Sequence, residues 1–178
     1  LVVEGPPNWT SFRDLWQMFS DERAVAVAST YTKVGGTYDS STNALVTGSV
    51  THAGELSLTG GTLTVNGSLA VGSYAQTGGN SVLSGTGTVT VAGASSWTAG
   101  TMTGAGAITF NGALGISGPG RKDLLGGRVV NLNGTTTWSG ATGTNTNYFL
   151  TGPATINNAG TWVDNNAFNT LMQDWYGG

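Results

Sequence analysis

The chain has 178 residues, a net charge of −3, 30 glycines and no cysteine, and only 8% of it is charged, against about a quarter in ordinary soluble domains. This balance offers no basic patch for nucleic acid, no apolar run long enough to span a bilayer and no cysteine pairs to staple a small fold. A disordered Gly/Ser/Thr linker is argued against by the regular recurrence of valine, leucine, isoleucine and tryptophan, which such linkers lack.

Residues 1–28 read as an amino-terminal cap or docking segment. Thr10 or Ser11 can cap a helix over about 11–22, in which Phe12, Leu15, Trp16 and Phe19 fall at i, i+3, i+4 and i+7 while Arg13, Asp14 and Asp21 take the other face. Such an apolar stripe needs burial. Two readings stand: it covers the open end of the fold that follows, or it docks another subunit or an upstream domain.

Residues 29–178 read as coils of an all-β parallel solenoid. Ala24 to Ala28 lead in, and Tyr31, Tyr38 and Ala44-Leu45-Val46-Thr47-Gly48 supply the first strands. Then an apolar-x-apolar strand starts again at Val50, Leu69, Val89, Ile108, Val130 and Ile156, with spacings of 19, 20, 19, 22 and 26, most of these strands running into a glycine. A period near twenty is the signature of stacked coils. Because side chains alternate across a strand, those six residues form one inward ladder, and His52, Val71, Val91, Phe110, Leu132 and Asn158 form a second. Thr51, Ala70, Thr90, Thr109, Asn131 and Asn157, between the two ladders, then point to solvent. A second strand column follows at Leu58, Gln76, Trp97, Ile116 and Trp138, and a third at Val65, Leu83, Met102, Leu125 and Leu150, giving three short strands per coil. Coils of this length favour a right-handed winding over the stricter left-handed hexapeptide type.

At the far end Gly160-Thr161-Trp162-Val163 makes another strand and Ala167 to Met172 a corner, with no polar cap in view. An uncapped apolar end seeks a partner, so either more coils follow or the end stacks on another chain. Phe168, Trp175 and Tyr176 join Phe12, Leu15, Trp16 and Phe19 as the candidate assembly surface. The start at Leu1, with no initiator methionine and no signal-peptide pattern, leads us to expect a processed product or an excerpt of a longer protein.

The run Asn133-Gly134-Thr135-Thr136-Thr137-Trp138-Ser139-Gly140, followed by Leu150 and by Ala154 to Trp162, resembles the Asn-x-Gly-Thr repeats of large bacterial surface-exposed β-solenoid proteins, similar in outline to filamentous-haemagglutinin-like and autotransporter-passenger adhesins. The resemblance covers about residues 48–178. It implies a secreted or cell-surface rod used for adhesion, matrix or spacing. The amino-terminal helix departs from that pattern.

Few residues carry chemistry. Glycosidic hydrolysis needs two carboxylates about 5–10 Å apart, and the one dense charge group here is Arg121-Lys122-Asp123 with Arg128 nearby. That group reads as a solvated corner or as a contact for a small anion or an acidic sugar. His52, the sole histidine, lies in an apolar column and reads as a core residue rather than a metal ligand. No calcium-binding nonapeptide is present, and no cofactor is implied. Trp97 and Trp138 are either lumen fillers or an outward platform for sugars, their column favouring the lumen. The outward Thr51, Thr88, Thr90 and Thr109, with Thr62, Thr64, Thr101 and Thr103 on another face, resemble the Thr-x-Thr arrays of ice-binding solenoids, although Ala70, Asn131 and Asn157 break the array. A threonine face is also simply good exposed sheet. The expectation is therefore a structural or adhesive module, extracellular or at the cell surface, and not an enzyme, a polysaccharide-active β-helix enzyme being the remote alternative. Its partners would be further copies stacked end to end, neighbouring domains of a longer chain, or a glycan or cell surface contacted through the threonines, Arg121 and Lys122.

Overall fold

The computed structural model describes residues 2–3, 25–27, 31–33, 37–40, 44–140, 148–167 and 171–174. They form a parallel β-solenoid of about five turns. In chain order the strands are β1 Val2–Val3, β2 Val25–Val27, β3 Tyr31–Lys33, β4 Thr37–Ser40, β5 Ala44–Val46, β6 Ser49–Leu58 and β7 Thr62–Val65. There follow β8 Ser68–Gln76, β9 Val82–Ser84, β10 Thr88–Val91, β11 Ser95–Trp97, β12 Gly100–Met102, β13 Ala107–Phe110 and β14 Leu114–Ile116. The last are β15 Lys122–Leu124, β16 Arg128–Leu132, β17 Thr135–Trp138, β18 Tyr148–Thr151, β19 Ala154–Asn158, β20 Thr161–Asp164 and β21 Leu171–Asp174. One sheet runs β1-β2-β5-β7-β9-β12-β15-β18-β21; the other two strand positions of each coil belong to a second sheet, joined where β6 and β8 run unbroken through both. The helix expected over 11–22 lies outside the described residues.

The inward ladders appear in the expected register. Val50 pairs with Leu69, Leu69 with Val89, Val89 with Ile108, Ile108 with Val130 and Val130 with Ile156. Two residues further on, His52, Val71, Val91, Phe110, Leu132 and Asn158 align in the same way. From Val50 to Val130 the first ladder is buried, and so is the second from His52 to Leu132. Each such aliphatic side chain stabilises the fold by about 1.5–3 kcal/mol. Their strands are all parallel, so no coil can bury its apolar edge except against the next.

The glycine closing each repeat has a steric cause. A Cβ on Gly112 would lie 2.4 Å from the Gly93 carbonyl oxygen, one on Gly134 2.3 Å from that of Gly112, and one on Gly160 2.0 Å from that of Gly134. At this corner the coils touch backbone to backbone, and a side chain has no room. A second corner needs glycine for its dihedrals: Gly85 and Gly104 sit at φ +107° and +84°, a region closed to most side chains.

The third column differs from expectation. Leu63, Leu83, Met102, Leu124 and Thr151 are the aligned residues, not Val65, Leu125 and Leu150. Loops into this sheet vary in length, so spacing counted from the first strand drifts. In the Leu124-Leu125 pair the first residue is fully buried and the second only partly.

Candidate functional site

The outer face beside the two inward ladders carries two aligned columns. One holds Ser49, Ser68, Thr88, Ala107, Val129 and Thr155, the other Thr51, Ala70, Thr90, Thr109, Asn131 and Asn157. Thr51, Thr88 and Thr90 are exposed and Thr109 half-buried. Strand spacing puts successive members of a column about 4.8 Å apart. Hydrogen bonds tie the columns together along the coil axis. Asn157 Nδ2 donates to Asn131 Oδ1 at 2.9 Å, and Asn131 Nδ2 donates to Thr109 Oγ1 at 3.1 Å. On the next outward position Asn133 Nδ2 donates to Asn111 Oδ1 at 2.9 Å, and nearer the start Ser68 Oγ donates to Ser49 Oγ at 2.9 Å. The amides therefore hold fixed orientations, and no member of either column is charged. The Asn111–Asn133 rung was missed in the sequence, although both residues directly precede a corner glycine.

The charged group at 121–128 is not a solvated corner. Lys122 and Asp123 lie in β15, 0% and 4% exposed, and Arg128 at the start of β16 is fully buried. Lys122 aligns with Gly100 and Phe149, and its Nζ donates to the carbonyl oxygens of Gly118 and Gly120, both at 2.8 Å. Burial holds its pKa down at about 8, because leaving water penalises the ammonium. The expectation of Lys122 as a surface or ligand contact is corrected accordingly: its nitrogen is spent on the corner backbone. Arg121 stays 59% exposed and forms an ion pair with Asp123 Oδ2 at 2.8 Å. Among the described residues, Asp123 Oδ1 is buried and has no hydrogen-bond partner.

Arg128 reaches along the lumen. Its Nη2 donates to the carbonyls of Thr103 and Leu83, which belong to two different coils. Its burial pushes the guanidinium pKa downward, with the Tyr74 phenol opposing. Tyr74, itself pushed well above the ordinary phenol range by burial, donates to Gln76 Oε1 at 2.6 Å, and Gln76 Nε2 donates to Ser81 O, Ser81 Oγ and Thr101 O, each at 3.1 Å. Nothing in the spacing marks these as polar lumen residues, since Gln76 occupies an otherwise apolar column.

The tryptophans are lumen fillers. Trp97 and Trp138 are 2% and 4% exposed and pack on Phe149, with ring centroids 5.2 and 6.1 Å away; Trp138 in turn meets Trp162 edge-on at 6.2 Å. His52 is buried as the core reading requires, its Nε2 lying 3.1 Å from the Glu55 carbonyl oxygen. Among the described residues no three His, Cys, Asp or Glu side chains gather as a metal site, and no helix is long and apolar enough to cross a membrane. The expected assembly residues Phe12, Leu15, Trp16, Phe19, Phe168, Trp175 and Tyr176 lie outside the described residues.

No protein-family model matches the chain, and no solved structure matches it. A 39-residue segment is 77% identical to one of the subunits of the benzoyl-CoA reductase of Thauera aromatica, covering 22% of this chain and 9% of that protein. The chain thus spans under a tenth of the length of the curated relative it matches. This finding overturns the expectation of a chain that is not an enzyme, because one segment of it is closely similar to part of an enzyme subunit.

Proposed function

We propose that the solenoid is a structural and adhesive module working outside the cell or at its surface, a stiff rod whose uncharged outer face lies against a neutral polysaccharide or a cell surface. The observation that carries this reading is the ordered polar face: hydroxyls and amides repeat along the coil axis, and Asn157, Asn131 and Thr109 hold one another in place. A periodic ligand can meet such a face with many weak contacts whose orientations cost little entropy on binding. The absence of any Asp, Glu, Lys, Arg or His between Leu56 and Gly120 fits a neutral ligand better than an acidic one. Likeness to filamentous-haemagglutinin-like and autotransporter-passenger adhesins in the Asn-x-Gly-Thr segments supports the surface location.

The test is equilibrium retention on insoluble neutral polysaccharides, such as cellulose and chitin, with an anionic polysaccharide beside them. Retention on a neutral polymer, weakened at least about tenfold by the paired substitution Thr90→Glu and Thr109→Glu while the fold persists, is the expected result. Retention that ignores these substitutions, or no retention on any polymer, defeats the reading.

A further inference from the structure

The dipeptide Asn-Gly occurs at Asn66-Gly67, Asn111-Gly112 and Asn133-Gly134. Each asparagine is exposed, each glycine half-buried, and each pair stands at a corner directly after a strand, β7, β13 or β16. In such a pair the glycine nitrogen can attack the asparagine side-chain carbon, because no side chain on the glycine crowds the approach. The attack needs a nitrogen that no hydrogen bond holds, and it gains from a donor on the side-chain oxygen, where negative charge develops. The three corners supply these conditions differently. Asn66 Oδ1 accepts from the Thr86 N–H at 3.2 Å and from Thr86 Oγ1 at 3.4 Å, but the Gly67 N–H is held by the Val46 carbonyl at 3.1 Å. At Asn133 the Gly134 N–H has no acceptor among the described residues, yet Asn133 Oδ1 has no donor there either, and its Nδ2 donates to Asn111 Oδ1 at 2.9 Å. Of the three, Asn111 combines both conditions: its Oδ1 receives that bond, and the Gly112 N–H has no acceptor among the described residues.

We infer that Asn111-Gly112 is a self-modifying site, at which the Gly112 nitrogen closes on Asn111 and water converts the asparagine to aspartate or isoaspartate. The Gly112 nitrogen gives up its proton and bonds to Asn111 Cγ, while Asn133 Nδ2 donates to the oxygen that takes on charge. The Cγ–Nδ2 bond then breaks, and the nitrogen leaves as ammonia with the proton that Gly112 released. Water opens the resulting imide: addition at Cγ leaves aspartate, addition at the main-chain carbonyl leaves isoaspartate. One water is consumed and one ammonia released, with no change of oxidation state. Either product puts a carboxylate into the stretch from Leu56 to Gly120, which otherwise holds no charged side chain and no histidine. In the aspartate, Asn133 Nδ2 keeps an acceptor, and the bond becomes charge-assisted and stronger. The isoaspartate lengthens the main chain by one carbon beside Gly112, where a Cβ would already stand 2.4 Å from the Gly93 carbonyl oxygen. That product therefore loosens the corner, whereas the aspartate leaves it closed.

Peptide mapping by mass spectrometry tests this on the whole chain, held in warm, mildly alkaline buffer either folded or unfolded in guanidinium chloride. Dividing each folded rate by the unfolded rate of the same asparagine removes the influence of its sequence neighbours. That ratio is expected to be at least about fivefold higher at Asn111 than at Asn66 or Asn133. Asn133→Ala removes the donor to Asn111 Oδ1 and leaves Gly112 in place. It should slow Asn111 at least about threefold relative to Asn66 in the folded chain. If that variant does not fold, the ranking in the native chain still decides. A ratio at Asn66 or Asn133 that equals or exceeds that at Asn111, or an Asn111 rate that Asn133→Ala leaves unmoved or raises, overturns the inference. It does not rest on the adhesive reading, whose readout is polysaccharide retention, so the two fail independently.

Discussion

The face assignment makes its sharpest prediction on two neighbouring residues of one strand. Val91 is fully buried between Val71 and Phe110, whereas Thr90 beside it is exposed. Val91→Asp removes an aliphatic group whose burial is worth about 1.5–3 kcal/mol and puts a carboxylate among apolar neighbours, which costs several kcal/mol more even after the group takes up a proton. We expect a total loss of at least about 4 kcal/mol, enough to open the coils on both sides, because coil stability is a sum of nearest-neighbour terms. Thr90→Asp, reaching water on a face without other charge, should change stability by no more than about 0.5 kcal/mol. Urea unfolding followed by far-UV circular dichroism gives both numbers, and amide hydrogen exchange shows whether the loss centres on β10 and its neighbours. Similar losses at the two positions would refute the register, since a slip of one residue exchanges the faces.

Gly112→Ala forces a Cβ to 2.4 Å from the Gly93 carbonyl oxygen and should cost about 1–3 kcal/mol or more by overpacking, while Gly79→Ala, with nothing within 4 Å of the added carbon, should be nearly silent in the same melt. Phe149→Ala removes the ring that Trp97 and Trp138 share and should cost about 3–5 kcal/mol, with a shift in tryptophan emission; unchanged emission would contradict the stack. Lys122 is held at about 8 against 10.5 in a free lysine, so between those values the unfolded chain binds a proton that the folded chain does not. Stability should therefore rise from about pH 8 towards 10.5 and fall back over the same window as pH is lowered, by at most about 3 kcal/mol, the carbonyls of Gly118 and Gly120 reducing the effect. Tyr74 adds to any rise from its free value of 10.0 downward in no way and opposes it above that value, because the folded chain keeps a phenol proton that the unfolded chain releases. Lys122→Met should flatten the rise in chemical denaturation at several pH values, and an unaltered slope would remove Lys122 as its source.

What could be read from the sequence followed the steric logic of the repeat. The Val50 and His52 ladders and the outward Thr51 column were legible because period-two alternation and a recurring corner glycine mark the same strand in every coil. The third column was not, because Leu124 and Leu125 offer the same chemistry and only the path of the preceding corner decides between them. Lys122 and Asp123 were misread for a related reason: three consecutive charged residues signal solvent unless the fold carries the strand past a covered corner. The polar lumen of Tyr74, Gln76 and Arg128 left no local pattern at all, since its partners lie two to 45 residues apart.

Departures from the columns are met by hydrogen-bond partners within the fold. Gln76 interrupts the column of Leu58, Trp97 and Ile116 in mid-solenoid, where no solvent reaches, and its amide is met on both sides by Tyr74, Ser81 and Thr101. An interior break without such partners would cost about 1–3 kcal/mol for each orphaned group. Asp164 takes the same column at β20, where it is exposed and its Oδ1 accepts from the Asn166 side chain and backbone N–H. The periodic apolar residues hold each coil on the next, and a polar residue stands among them where the fold itself supplies its hydrogen-bond partners, as Ser81 and Thr101 do for Gln76 and Asn166 does for Asp164.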